Sequence, residues 1–250
     1  MTPAAAALTA GAGLVAGAVN AVAGGGTLLT FPALLATGLG PVTANITSSV
    51  GLLAGYAGGS VAYRRELADQ RERARSLVVV SVLGGIAGAV LLLLTPAATF
   101  RSVVPYLVLL SCALLAAQPA LARALAAHRH GSPDLHWAVR AGVGVSAVYG
   151  SYFGAGLGVL LLAVLGVLVA DELQRLNALK GVLSFVINVV GVVVFVVSGH
   201  VAWLYAGLLA VSSYAGATLG VSVARRLSPV LMRAAVVTLG TVVGVALLVS

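Results

Sequence analysis

Asn177, Lys180, Ser184 and Asn188 fall at i, i+3, i+7 and i+11, which places them on one stripe of a helix. Lys180 is the single lysine of the chain, and it lies several residues inside a run that becomes strongly apolar. The stripe offers two amides, a hydroxyl and one positive charge. That set suits reversible binding of a group rich in acceptor oxygens, not the making of bonds. Lys180 has two readings: an anchor whose ammonium snorkels to the membrane surface, or a cation that draws anions inward. A second polar set, Asn20, Asn45, Thr47, Ser48 and Ser49, interrupts the first half of the chain, and Tyr149 and Tyr152 interrupt the second. Inside apolar helices such groups either bond from helix to helix or line a path. The third feature is a pair of glycine clusters. Gly24, Gly25 and Gly26 precede Thr27, and Gly154, Gly156 and Gly158 precede Val159. Such clusters either let helices pack closely or break a helix in mid-membrane. A break would expose the N-terminus of the next half-helix. That end carries unpaired N–H groups and partial positive charge, a ready site for an anion.

The acidic residues point the same way by their positions. Glu66, Asp69, Glu72, Asp134, Asp171 and Glu172 all sit in loops or at their edges. Coupling to protons within a membrane usually needs a carboxylate or histidine relay. His128, His130 and His136 belong to one linker and His200 to another loop. A path without fixed negative charge favours anions over cations. No Walker loop, HExxH, GxSxG or Cys/His metal spacing occurs, so no enzyme, metal or cofactor is expected. The run Gly154–Gly158 lacks the βαβ context of a dinucleotide fingerprint. The lone cysteine, Cys112, lies in an apolar run and is read as packing.

These residues must be held by membrane helices. Of 250 residues, 60% are hydrophobic and 8% charged, and the mean hydropathy is +1.11. A chain this apolar needs the bilayer as its solvent. A net charge of +8 would suggest nucleic acid in a soluble protein, but here it follows the rule that basic loops stay in the cytoplasm, so no nucleic-acid partner is expected. The first residues lack a basic stretch ahead of their apolar run, which reads as a first membrane segment and not a secretory leader. Polar breaks divide the chain into ten segments: 4–23, 27–39, 42–63, 77–95 and 100–121, then 139–155, 159–170, 174–198, 202–224 and 228–249. The second segment of each set has only 13 or 12 residues, about 20 Å or less as a helix. Short segments behind glycine clusters, at matching places in two halves, mark the discontinuous helices of transporters.

The halves align at a constant shift of 132 residues. Ala23–Leu29 falls on Ala155–Leu161, Asn45 on Asn177, Gly59, Gly84 and Gly88 on Gly191, Gly216 and Gly220, and Arg101 on Arg233. This predicts a first repeat over 1–121, a cytoplasmic linker over 122–138 and a second repeat over 139–250. The loop 64–76 holds Arg64, Arg65, Arg71, Arg73 and Arg75, whereas its counterpart around Ser198–His200 holds no lysine or arginine. The two loops therefore belong on opposite sides, and five segments per half leave the second repeat inverted. Threading from a cytoplasmic 64–76 puts 13 of the 14 basic residues at or near the cytoplasm, Arg101 alone outside, and both termini outside.

The run GAVNAVAGGGTLLTFPALL at 17–35 resembles the first signature of the TauE/SafE sulfite exporter family. YGSYFGAGLGVLLL at 149–162 and LNALKG at 176–181 resemble second-half signatures of one of its subgroups. The resemblance covers nearly the whole chain. It implies a multi-pass transporter of the plasma (inner) membrane, linked to sulfite, sulfoacetate or other organosulfur anions. The second half departs from it in lacking three successive glycines and the proline that follows at Pro32, so the two halves match only approximately. The expectation is an all-α integral membrane protein of two inverted repeats, each with a short broken or re-entrant helix after a glycine turn. Its partners are a small anionic substrate and the lipid bilayer. It moves that anion by alternating access around a midplane site framed by two half-helix N-termini. An importer or channel for a metal cation or a neutral organic solute is one rival, and a membrane scaffold or intramembrane enzyme another.

Overall fold

The computed structural model describes residues 1–22, 25–61, 70–127, 136–169, 171–224 and 229–249. All regular structure among them is helical: α1 Pro3–Val22, α2 Thr27–Ala36, α3 Pro41–Val61, α4 Arg71–Leu94, α5 Ala97–Ala127, α6 His136–Tyr152, α7 Leu157–Leu168, α8 Leu173–Val197, α9 Trp203–Ala224 and α10 Pro229–Val249. The ten predicted segments each correspond to one helix. Helices α3, α4 and α5 begin at 41, 71 and 97, and α8, α9 and α10 at 173, 203 and 229, each 132 residues later. By length and composition, α1, α4, α5 and α8 are each able to cross a membrane over their described residues. The short helices are α2 with 10 residues and α7 with 12.

Several boundaries differ from the apolar runs. Helix α4 starts six residues before its run at 77, and α5 continues six past 121. The added residues, Arg-Glu-Arg-Ala-Arg-Ser and Ala-Arg-Ala-Leu-Ala-Ala, are mostly strong helix formers. Hydropathy sees the part of a helix that lipid accepts, while backbone hydrogen bonding carries the helix on into water. The predicted linker 122–138 is therefore helical at both described ends.

Packing crosses between the halves. Helix α1 packs along α9, and α9 along α3; α4 packs along α6 and α8. Adding five to every label, counted around the ten, turns the first set of pairs into the second. Helix α3 meets α8 and α5 meets α10, pairs that this relabelling leaves unchanged. Each half thus lends its fourth helix to the other. Glycine makes the crossings possible. A Cβ on Gly17 would run into the carbonyl of Ser213, one on Gly216 into that of Leu14, and one on Gly88 into that of Val148. Gly84 is similar, with Gly144 O and Ala147 Cβ both 2.8 Å from where its Cβ would stand. These are small-xxx-small contacts, which hold helices together in lipid by close backbone approach.

The outer surface is apolar. Val79, Leu83, Ile86, Val90 and Leu94 are exposed on one stripe of α4, a face that only hydrocarbon covers without cost. Trp137 and Trp203 are exposed at the starts of α6 and α9, which lie at opposite ends of the bundle. This is the usual place for aromatic anchors in a membrane interface. Cys112 is buried, at a point on α5 where a Cβ on Gly240 of α10 would stand 2.6 Å from its sulfur.

Candidate functional site

The two helix breaks meet the same turn of α5. Gly25 has φ 92° and Gly156 has φ 77°, left-handed backbone that glycine adopts without strain. A Cβ on Gly25 would stand 3.2 Å from Leu115, and one on Gly156 would stand 3.6 Å from Ser111 Cα. Ser111 and Leu115 are one helical turn apart, a rise of about 6 Å. Gly240, opposite Cys112, lies near the centre of α10, so this turn of α5 is at mid-depth. Helices α2 and α7 start there and run toward opposite ends. Gly24 lies outside the described residues.

The first break is sealed by protein. Asn20 Oδ1 accepts the Gly26 N–H at 2.7 Å, and Asn20 lies so close over Gly26 that a Cβ there would be 2.7 Å from its Nδ2. Thr27 is buried. One turn on, the Thr30 and Ser48 hydroxyls bond to each other and tie α2 to α3. Asn45 Nδ2 donates to the carbonyl of Tyr152 at 2.9 Å. Thr47 Oγ1 accepts the Ala202 N–H at 3.1 Å and so caps the start of α9. Ser49 Oγ donates to Asn45 O at 3.0 Å. Asn45, Thr47 and Ser48 are fully buried. These polar groups bind the protein itself, two of them across the halves, while Asn20 Nδ2 and Asn45 Oδ1 are buried without a partner among the described residues.

The second break is held by α5 and is half-buried at Gly154 and Gly158. Tyr149 OH donates to Ala155 O at 2.7 Å and bonds Ser111 Oγ at 2.8 Å, while Ser111 Oγ is also 3.0 Å from Ala155 O. The Tyr149 hydroxyl thereby fixes the carbonyl at the turn, while the one Ser111 proton is shared among Leu107 O, Tyr149 OH and that carbonyl. Tyr149→Phe should cost about 1 kcal/mol of stability, the ordinary net worth of such a bond, seen as a lowered melting temperature in detergent. Tyr152 reaches toward the far end of the bundle. Its ring packs edge-on against Phe100 with centroids 5.7 Å apart, and its hydroxyl is 3.4 Å from Thr95 Oγ1.

In front of the second break stands the stripe of α8. Gly158, in the first turn of α7, is half-buried, and the atom nearest to a Cβ there would be Lys180 Cδ at 3.9 Å. Backbone bonds run from Leu157 to Gly154 and from Val159 and Leu160 to Gly156, but the Gly158 N–H takes no backbone partner among the described residues. Lys180 Nζ donates to Asn177 Oδ1 at 3.1 Å. That bond turns the Asn177 amide so that its Nδ2 remains a donor. Asn188 Nδ2 donates to Ser184 O at 2.8 Å, and the Ser184 hydroxyl is buried without a partner among the described residues. The stripe is half-buried along its length. The Lys180 stem thus lies beside the first turn of α7, and its ammonium bonds the Asn177 amide one turn along α8. This is donor chemistry matched to an oxyanion, and among the described residues no group of three His, Cys, Asp or Glu gathers to hold a metal.

Two features went unread in the sequence. Ser111 looked like one more small residue of an apolar helix, and only the fold brings it to the second break. At the basic end of the bundle, Asp171 takes Arg73 of α4 at 2.9 Å and Arg175 of α8 at 3.3 Å. The four-residue spacing of Asp171 and Arg175 was a signal for the second contact; nothing local pointed to Arg73. Both arginines are about a third exposed. Asp171→Asn should therefore cost only about 1 kcal/mol, with the loss of stability shrinking as salt is raised.

Residues 9–247 match the protein family described as Sulfite exporter TauE/SafE. A similar curated protein is "Probable membrane transporter protein YfcA" of Escherichia coli (strain K12), 26% identical over 208 residues, which are 83% of this chain and 76% of the relative. Another, "Probable membrane transporter protein" of Haemophilus influenzae, is 27% identical over 225 residues, 90% of this chain and 87% of the relative. "Probable membrane transporter protein ORF9" of a Sinorhizobium species is 24% identical over 215 residues, 84% of this chain and 79% of the relative. No solved structure matches the chain.

Proposed function

Since the chain belongs to the Sulfite exporter TauE/SafE family, and is thus a multi-pass membrane transporter and not an enzyme, we propose that it exports a small oxyanion across the inner (plasma) membrane. Sulfite or an organosulfonate is the best candidate. The observation that carries this reading is the Lys180 side chain beside the free N-terminus of α7, with the Asn177 amide as a third donor. A positive side chain and a helix N-terminus reinforce each other, and both are worth more away from bulk water. An anion leaving the cytoplasm also runs with the membrane potential, which supplies about 2.3 kcal/mol per charge per 100 mV. Export therefore needs no coupling ion, in keeping with acidic residues confined to loops and helix edges.

Alternating access fits the architecture. The exchange of packing partners between halves supports two related repeats, and the arginine threading supports their inversion with both termini outside. The end bearing Arg73, Asp171 and Arg175 is then cytoplasmic. The test is a thermal-shift screen of purified protein against sulfite, sulfate, thiosulfate, sulfonates, carboxylates and metal cations. A ligand stabilises in proportion to ln(1 + [L]/Kd). Sulfite or a sulfonate should raise the melting temperature in a saturable way. A response to cations alone would rule the reading out.

A further inference from the structure

Four of the five phenylalanines gather at one end. Phe31, Phe100, Phe153 and Phe195 are each at most 1% exposed and belong to one buried cluster. Phe31 and Phe153 meet edge-on with centroids 5.5 Å apart, and Tyr152 joins through Phe100. Phe31 stands on α2 beyond the mid-depth turn, Phe100 near the start of α5, and Phe195 near the end of α8. All of these point to the end where α4 meets α5 and α8 meets α9, opposite to Asp171. At the 132-residue shift the counterparts of Phe31, Phe100, Tyr152 and Phe153 are Ala163, Met232, Asn20 and Ala21, none of them aromatic; that of Phe195 is Tyr63, outside the described residues. Among the described residues the aromatic cluster therefore has no equal at the basic end. The exposures differ in the same sense. Asn45 and Ser48 are fully buried, while their counterparts Asn177 and Lys180 are only half-buried; Gly26 is buried, while its counterpart Gly158 is half-buried.

We propose that this structure is the state open toward the basic end, and that Phe31, Phe100, Tyr152, Phe153 and Phe195 form the gate that closes the other end. The inference rests on the transporter reading above. It adds a direction: the site beside Lys180 loads from the cytoplasm, and release requires the aromatic side chains to part. Packed apolar cores hold discrete arrangements instead of deforming continuously, which suits a gate that is open or shut.

Single cysteines in a Cys112→Ala background test this in sealed vesicles of known orientation, using a membrane-impermeant maleimide. Gly158→Cys reports on the site, and a side chain fits there. Arg75→Cys and His200→Cys, both exposed, report on the two ends. The maleimide should reach Gly158→Cys from the Arg75 side, and from the His200 side at least about tenfold more slowly, as expected when the alternative state is a minor one. Adding Phe31→Ala with Phe153→Ala should raise labelling from the His200 side by roughly tenfold. Phe153→Leu, a milder change that keeps the core filled, should raise it less but in the same direction. Equal labelling from both sides in the parent, or no rise in a folded Phe variant, overturns the gate. Labelling of the Arg75 and His200 reporters from one common side overturns the topology. Sulfite flux measured on the Cys112→Ala protein separates the two ideas, because absent flux with the expected labelling removes the sulfite-export reading and leaves the gate.

Discussion

Replacing Lys180 with alanine lowers anion affinity roughly tenfold to a hundredfold, the worth of a hydrogen bond to a charged group when converted to a binding ratio. Lys180 is the single lysine of the chain, and no other cation stands beside the α7 N-terminus among the described residues. Its loss removes a charge, and it also frees Asn177 Oδ1 from its one partner among the described residues, so the amide is no longer turned to donate. Titration of sulfite against the purified variant by calorimetry or thermal shift measures the change. Lys180→Arg should fall between parent and alanine, since it keeps charge but changes shape. Lys180→Met should melt no lower than the parent, because apolar atoms replace a half-buried ammonium held by one hydrogen bond. A loss of binding without a loss of stability marks a ligand group. If Lys180 were only an interfacial anchor, Lys180→Ala would bind anions as the parent does.

The second large effect is structural. Gly17→Leu and Gly88→Leu should each yield little folded protein. At both positions even a Cβ collides with a backbone carbonyl, that of Ser213 or that of Val148, and backbone cannot step aside as a flexible side chain does. Overpacking usually costs about 1–3 kcal/mol and occasionally more. Here a whole helix must move, and α1–α9 and α4–α6 are among the contacts that join the two halves. Gly11 and Gly207 have open space around them, so Gly11→Ala and Gly207→Ala should elute and melt like the parent. Size-exclusion profiles of tagged variants in detergent give the comparison. Normal elution of Gly17→Leu would mean that the close crossing is not needed.

What the sequence made legible was whatever the bilayer enforces. A spanning helix needs a long apolar run and backbone groups satisfied within it, so ten helices, two of them short, could be read from hydropathy and glycine. The 132-residue shift survives in the starts of α3 to α5 and α8 to α10. What could not be read is what depends on contacts between distant residues. No local pattern announces that α4 packs in the second half and α9 in the first. Asn20, Asn45 and Thr47 were legible as polar groups in apolar helices, but their partners, Gly26, Tyr152 and Ala202, are backbone groups set by the fold. Two half-helix N-termini, matched only approximately, were expected to frame a site. The structure brings both breaks to one turn of α5 but leaves only the second, beside Lys180, half-exposed. Local sequence gives the breaks, and tertiary packing decides which of them is available.

The central claim, that an oxyanion passes by way of Lys180 and the α7 N-terminus, is tested most directly by sulfite flux in proteoliposomes with a clamped membrane potential. The prediction is flux above that of empty liposomes, faster when the potential pulls the anion outward, and reduced about tenfold or more in Lys180→Ala in proportion to lost binding. Flux no greater than in empty liposomes, or equal flux in Lys180→Ala and the parent, would contradict it.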